Sequence, residues 1–229
     1  MSSLKITNTT ALTHLQGLDN LKLASQVTIE NTTGLVNLAG LENLQAIQAF
    51  SIINNQDLTD LSGLENLMFL GGPLMVYGND ALTTLTGLEN ITLFEGELRI
   101  SNNPALANIS ALSGITRTED AVLENNGIES LDGLQNLTTV GGSLHILDNW
   151  ALTDINSLNH TMTINNILEI RDNVALPDCA VQAVCDYINY VQDSANFQVN
   201  NNTGNCATVS TVEAACLAVG TTDLDAADV

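Results

Sequence analysis

Apolar residues recur along this chain in a pattern that repeats every 23 or 24 residues. The repeats begin at Leu4, Val27, Phe50, Leu74, Leu98, Ala121, Leu144 and Leu168. A second apolar residue lies two positions after each start, so side chains alternate inward and outward with the period of two that is typical of a β-strand. Self-similarity at a period of this length predicts a solenoid in which each repeat forms one turn.

Each repeat continues with a second pair of inward aliphatic residues. In most repeats a Gly-Leu step and then an Asn-Leu step follow this pair. Glycine is expected where the chain turns a corner or closely approaches its neighbour. Side-chain amides at the end of the first strand are expected to satisfy backbone groups at that corner, and Gly78, Asp148 and Asp172 interrupt this ladder. The ladder consists of Asn8, Asn31, Asn54, Asn102 and Asn125. The sequence therefore predicts a mainly β fold, a parallel β-helix of about eight turns with strands about 4.8 Å apart.

All four cysteines follow the last predicted turn, at Cys179, Cys185, Cys206 and Cys216. Apolar residues at helical spacing between positions 178 and 191 predict a short amphipathic helix that covers the open end of the coil. The cysteines predict a disulfide-stapled cap. We favour pairs Cys179–Cys206 and Cys185–Cys216, but three connectivities are possible and the sequence cannot choose between them. A zinc site would need tight pairs such as CxxC, which the spacings of 6, 21 and 10 residues do not supply.

Three regions are expected: a repeat solenoid at 1–177, the cap at 178–220, and an acidic tail at 221–229. The tail has no apolar pattern and is predicted to be a disordered linker.

The motif LxIxNNxxLTxLxGLENLxxLGG, visible in residues 50–72 and 74–95, resembles the receptor L domain. This is the leucine-rich-repeat-like, right-handed β-helix of the insulin and epidermal growth factor receptor ectodomains. The chain is also similar to bacterial surface and secreted proteins that end in an LPDCAVQAVCDYI-type cap, here residues 176–188. The resemblance covers about residues 4–206. It implies a right-handed coil with a ligand-binding or adhesive role and no shared catalytic residue. It also implies that the chain is a segment of a larger protein.

Charge and composition narrow the classes of partner. With 26 acidic and 5 basic residues, the net charge is −21, which disfavours nucleic acid and anionic membrane surfaces. No apolar run approaches the ~20 residues of a membrane span, so membrane insertion is not expected. The predicted disulfides favour an extracellular location, either secreted or at the cell surface.

The outward residues of the first strands follow no consensus. Ile53, Met75 and Tyr77 lie on adjacent turns and are expected to form an exposed apolar group with Arg99 at its margin, a composition typical of an interface centre. The remaining candidate ligand-binding residues on this face are His145 and Arg171. The alternative is that isolated exposed apolar residues are normal and carry no function.

Two further features allow two interpretations each. Trp150, the single tryptophan, is either a corner plug or a platform on which a sugar ring stacks. Asp148 and Asp172 occupy the same corner on consecutive turns, where they could bind calcium through oxygen ligands or simply replace asparagine in the ladder. No other cofactor is expected.

No serine or cysteine lies in a recognisable nucleophile motif, and the three histidines belong to different turns, so we expect no enzyme activity. The sequence predicts an extracellular recognition or adhesion module. It would bind a protein or glycan on a cell or matrix surface through the face of its first sheet. The alternative is a structural spacer or self-assembling unit of a surface fibre, because an uncovered first strand at residues 4–6 invites end-to-end pairing.

Overall fold

A computed structural model describes residues 3–190 and 194–222 of the chain. In chain order the strands are Ser3–Thr7 (β1), Leu23–Glu30 (β2), Ala46–Ile53 (β3), Phe69–Leu70 (β4), Leu74–Tyr77 (β5), Leu93–Phe94 (β6), Leu98–Asn103 (β7), Arg117–Thr118 (β8), Ala121–Asn126 (β9), Thr139–Val140 (β10), Leu144–Leu147 (β11), Thr163–Ile164 (β12), Leu168–Arg171 (β13) and Phe197–Asn200 (β14). The helices are Gln182–Tyr190 (α1) and Val209–Thr222 (α2), with 3-10 turns at Ser110–Leu112, Asn156–Leu158, Ser194–Asn196 and Gly204–Cys206.

The first sheet is a parallel array in the order β1-β2-β3-β5-β7-β9-β11-β13-β14. The predicted starts lie opposite one another, as in the pairs Leu4↔Val27 and Val27↔Phe50. The eight starts bound seven complete intervals, so the protein is a β-solenoid of about seven turns followed by a short helical part. This architecture confirms the fold predicted from the repeat.

The second sheet consists of β4, β6 and the first residues of β2 and β3, which are long enough to contribute to both sheets. Further along the coil, β8, β10 and β12 form a separate three-stranded parallel sheet.

The leucine columns line one continuous core. Aliphatic side chains at equivalent positions of successive turns are completely buried, as at Leu58, Leu82 and Leu106. The first turn is less covered, since Leu4, Ile6 and Leu12 are only partly buried. Each turn therefore depends on its neighbours to exclude water from its apolar side chains.

The amides that satisfy the corner backbone lie one residue later than predicted. The predicted column, Asn8 onward, is largely exposed and holds a left-handed conformation with φ between 51° and 61° at its Asn and Asp members. Gly78, Asp148 and Asp172 share this conformation, so they belong to the column and do not interrupt its backbone.

A second, buried column carries the backbone hydrogen bonds. Asn79, for example, accepts from the backbone N–H of Asn55 at 3.0 Å and donates from Nδ2 to the carbonyl of Ile52 at 3.1 Å. This column runs without interruption through Asn55, Asn79, Asn103, Asn126, Asn149, Asn173 and Asn202.

The Gly-Leu step is a tight corner stabilised by the acid two residues later. Gly63 has φ 110°, and a Cβ there would lie 2.2 Å from the carbonyl oxygen of Leu38. Its N–H donates to the Glu65 carboxylate at 2.9 Å. Asn66 then donates from Nδ2 to the Glu42 carbonyl of the preceding turn at 2.6 Å. Part of the large acidic excess thus has a structural role at the corners.

The cap contains the two favoured disulfides, Cys179–Cys206 and Cys185–Cys216. Helix α1 buries Ala183, Val184 and Tyr187, in agreement with the predicted capping helix. Helix α2, which contains the buried Val212, was not expected. Of the predicted tail, residues 221–222 belong to α2, and residues 223–229 lie outside the described residues.

Candidate functional site

The strand registers place the candidate residues in two rows on the outer face of the first sheet. One row contains Ser51, Met75, Arg99, Val122, His145 and Glu169. The other contains Ile53, Tyr77, Ser101, Glu124, Leu147 and Arg171. Neighbouring members of a row are directly opposite in adjacent strands and are therefore close enough for their side chains to touch.

Ile53, Met75, Tyr77 and Arg99 lie together on β3, β5 and β7, and we call them the Tyr77 surface. Tyr77 is 41% exposed, while Ile53 and Met75 are half-buried. Arg99 stands opposite Met75 and donates from Nε to Glu97 Oε1 at 2.9 Å. The guanidinium at this margin is thus already paired with an acid.

His145 and Arg171 form a separate network two strands further along. His145 Nδ1 lies 2.7 Å from Glu169 Oε2, and Arg171 donates to the same carboxylate and to Asp172. Burial raises the pKa of Glu169, but hydrogen bonds from His145 and Arg171 outweigh this effect and leave the pKa below its ordinary value of 4.5. The hydrogen bond that Arg171 donates to Glu169 in turn raises the pKa of Arg171.

This network is not continuous with the Tyr77 surface, because β9 lies between them. The outward residue Val122 of β9 is only 6% exposed, and Leu147 on β11 is 7% exposed. Neither side chain belongs to the apolar core, and neither adds exposed apolar area between the two groups. The structure brings four of the six candidate ligand-binding residues together. The other two, His145 and Arg171, lie apart from them and are both bound to Glu169.

An open groove of about 560 Å³ adjoins the Tyr77 surface at the corner where the first sheet ends. Its walls are mostly side-chain amides and hydroxyls, from Asn31, Thr33, Asn54, Gln56, Tyr77, Gly78, Asp80 and Asn102. We call it the Tyr77 groove. From the sequence, its asparagines Asn31, Asn54 and Asn102 were assigned only to the ladder. The exposed and the buried asparagine columns cannot be distinguished in the sequence.

Gly78 creates this groove by removing one side chain from the exposed amide column. Elsewhere an asparagine donates to the preceding turn, as Asn31 does to Asn8 at 3.1 Å and Asn125 to Asn102 at 2.7 Å. At Gly78 the column has no side chain, and Asn54 Oδ1 occupies the space, 2.2 Å from where a Cβ would stand.

A second apolar surface lies on the second sheet and was missed from the sequence. Leu23, Ala46, Phe69 and Leu93 are in register across four strands, and Leu23 and Leu93 are 48% and 60% exposed. Met68 beside them is 51% exposed. The sequence does carry a sign of this surface: in these repeats an apolar residue lies two positions after the Asn-Leu step. The equivalent residues of the next two repeats are Arg117 and Thr139.

Trp150 does not plug the corner, because it is 59% exposed. Of the two carboxylates in the predicted calcium site, Asp172 is already engaged, because it accepts hydrogen bonds from Arg171 and Asn201. Within residues 3–190 and 194–222, no group of three or more His, Cys, Asp or Glu side chains is arranged to hold a metal ion.

In the part of the chain that the structure describes, no helix combines the length and apolar character needed to cross a bilayer. The two disulfides are consistent with an extracellular protein. No protein-family model matches the chain, and a search of curated proteins finds no significant match.

Proposed function

We propose that the protein is a non-enzymatic extracellular recognition module that contacts its partner through the Tyr77 surface. The observation that carries this proposal is the position of an exposed aromatic ring, flanked by Ile53 and Met75, beside an open groove on a regular sheet. Aromatic and methionine side chains are enriched at interface centres. Placement on paired strands holds them in one geometry before binding, which lowers the entropic cost of association.

Local charge also supports this surface. The chain carries a net charge of −21, which repels most acidic cell surfaces at long range. Near Tyr77 the charge of Arg99 offsets that of Glu97, and Asp80 is the one carboxylate among the residues that line the adjoining groove. A partner can therefore approach this face with less repulsion than the average surface would exert.

The resemblance of the repeat to the receptor L domain supports the same class of function, because those domains are ligand-binding or adhesive modules. The disulfides support action outside the cytoplasm, where such bonds persist.

The test is a double substitution, Met75→Ser with Tyr77→Ser, measured as binding of labelled protein to cells and extracellular matrix. Truncating two interface-centre side chains is expected to lower affinity about tenfold or more. The control is Leu93→Ser, which removes an apolar side chain from the second sheet that is more exposed than Tyr77, 60% against 41%. Equal binding by the double variant and the unmodified protein would contradict the proposal.

Self-association is a second candidate, favoured by the uncovered first turn. Within the described residues the outer edge of β1 pairs with no strand, and Leu4, Ile6, Leu12, Leu15 and Leu18 line an adjoining groove of about 490 Å³. The other end is covered, because Asn200 pairs with Thr208 and Val212 of α2 is buried. Pairing of two β1 edges would therefore close a dimer and would not extend into a fibre.

Sedimentation velocity over a range of concentrations tests this candidate. Self-association through β1 predicts a concentration-dependent dimer that Ile6→Glu abolishes. A monomer at all concentrations would contradict it.

A further inference from the structure

The ligand class of the proposed recognition site can be read from the Tyr77 groove, so this inference rests on the proposed function. Its first basis is a set of polar groups that have no protein partner within the described residues. The side chain of Asn54 makes no hydrogen bond. The side-chain oxygen Oδ1 of Asn31 accepts none, and the side-chain nitrogen Nδ2 of Asn102 donates none. Three other pairs in the column are joined from turn to turn: Asn8 with Asn31, Asn102 with Asn125, and Asp172 with Asn201.

The free groups occur together because of Gly78. With no side chain at that position, the amides on either side lose their expected neighbour, and Asn54 turns into the gap. The result is a row of donors and acceptors spaced by the strand repeat. From Asn31 to Asn102 the row spans three strand steps, or about 14 Å. A row of fixed amides suits a linear ligand with hydroxyl groups at regular intervals.

The second basis is the ring of Tyr77, which is 41% exposed and forms one wall of the groove. An aromatic face presents a broad apolar surface next to the polar amides. The C–H face of a sugar ring stacks on such a surface while its hydroxyls bond to neighbouring amides. A peptide ligand would more naturally use the unpaired edge of a sheet, which this groove lacks.

The third basis is charge. None of the residues that line the groove is basic, and Asp80 supplies its single carboxylate. The whole chain is strongly acidic. A sulfated, phosphorylated or sialylated ligand would find no counter-charge there and would be repelled.

We infer that the Tyr77 groove binds a neutral oligosaccharide. The amides of Asn31, Asn54 and Asn102 hydrogen-bond its hydroxyls, and Tyr77 stacks on one ring. The lack of a side chain at Gly78 keeps the groove open between Asn54 and Asn102.

The test is a glycan array that carries neutral glucans, mannans and galactans together with sialylated and sulfated glycans. The decisive variant is Gly78→Asn, which restores the side chain that the column has at equivalent turns. Its backbone, with φ 69°, is close to that of the asparagines in this column, and the atom it displaces is the end of the flexible Asn54 side chain. We expect neutral glycans to bind the unmodified protein and the affinity of Gly78→Asn to fall about tenfold or more.

The control is Asp148→Asn, which places the same residue, asparagine, at another position of the same column. Asp148 has φ 55° and does not line the groove. A second variant, Asn54→Gly, removes the free amide without backbone strain, and Asp148→Gly is its control. Both controls should bind neutral glycans with unchanged affinity, whereas Asn54→Gly should bind more weakly.

Several results would overturn the inference: no binding to any glycan, binding to acidic glycans only, or neutral binding that Gly78→Asn leaves intact. Met75→Ser separates this inference from the proposed function, because Met75 does not line the groove. If cell binding falls in the Met75→Ser single variant while the array is empty, the recognition surface stands, its partner is a protein and the sugar site is wrong.

Discussion

At the scale of single residues, asparagine has two roles in this coil that the sequence presents as one. The first residue of an Asn-Asn pair adopts the left-handed backbone of the corner, and the second is buried and bonds to backbone groups. Asn54 and Asn55 are such a pair. The sequence predicted that amides would satisfy the corner but assigned the wrong member. Only the backbone geometry, in which adjacent side chains point to opposite sides, separates the two.

Removal of one buried amide tests this assignment. Asn79→Ala leaves the buried backbone N–H of Asn55 without its partner and removes a side-chain hydrogen bond to the carbonyl of Ile52. Each unsatisfied group costs about 1–3 kcal/mol, so urea unfolding should show a clear loss of stability. The exposed neighbour is the control: Asn54→Gly should change the free energy of unfolding by less than about 1 kcal/mol. Similar losses in both variants would contradict the assignment.

The Glu169 network predicts a dependence on pH. Because the folded pKa of Glu169 lies below its ordinary value of 4.5, its stabilising contribution is fully present above that value and is lost as the pH falls through the folded pKa. Glu169→Gln should therefore lower the melting temperature near pH 7. The difference from the unmodified protein should shrink as the pH is lowered below 4.5. A constant difference from pH 7 to pH 3 would contradict the role of the ionised carboxylate.

At the scale of elements, the strands that open each turn were predictable because their apolar residues recur at fixed positions. The second sheet was not predicted, since two-residue strands such as β4 and β6 are too short to show alternation. Helix α2 was missed for a different reason. It is rich in apolar and small residues on all sides, so it lacks the amphipathic pattern that identified α1.

The glycine column provides a matched pair of substitutions. Gly17 and Gly63 have similar positive φ angles, 101° and 110°, but a Cβ at Gly17 meets nothing within 4 Å, whereas one at Gly63 meets the Leu38 carbonyl at 2.2 Å. Gly17→Ala should cost only the backbone strain of about 1–3 kcal/mol. Gly63→Ala should lower the free energy of unfolding by more, because the backbone at Leu38 must also shift. Equal losses in thermal or urea unfolding would show that close approach of turns does not constrain this column.

At the scale of the whole molecule, the repeat determines the architecture but leaves the choice of binding face open. The described residues include an exposed apolar surface at Tyr77 on the first sheet and another at Leu93 on the second. The sequence identified the first, because departures from consensus in a strand column are easily seen. It did not identify the groove, which arises from the absence of a single side chain at Gly78. The similarity to the receptor L domain stays a prediction.

Hydroxyl-radical footprinting of the protein, free and bound to cells or glycan, tests most directly which face meets the partner. Met75 and Tyr77 report on the first sheet, and Met68, which is 51% exposed, reports on the second. If the Tyr77 surface meets the partner, binding protects Met75 and Tyr77 from oxidation and leaves Met68 unchanged. Protection of Met68 with full oxidation of Met75 and Tyr77 would contradict it.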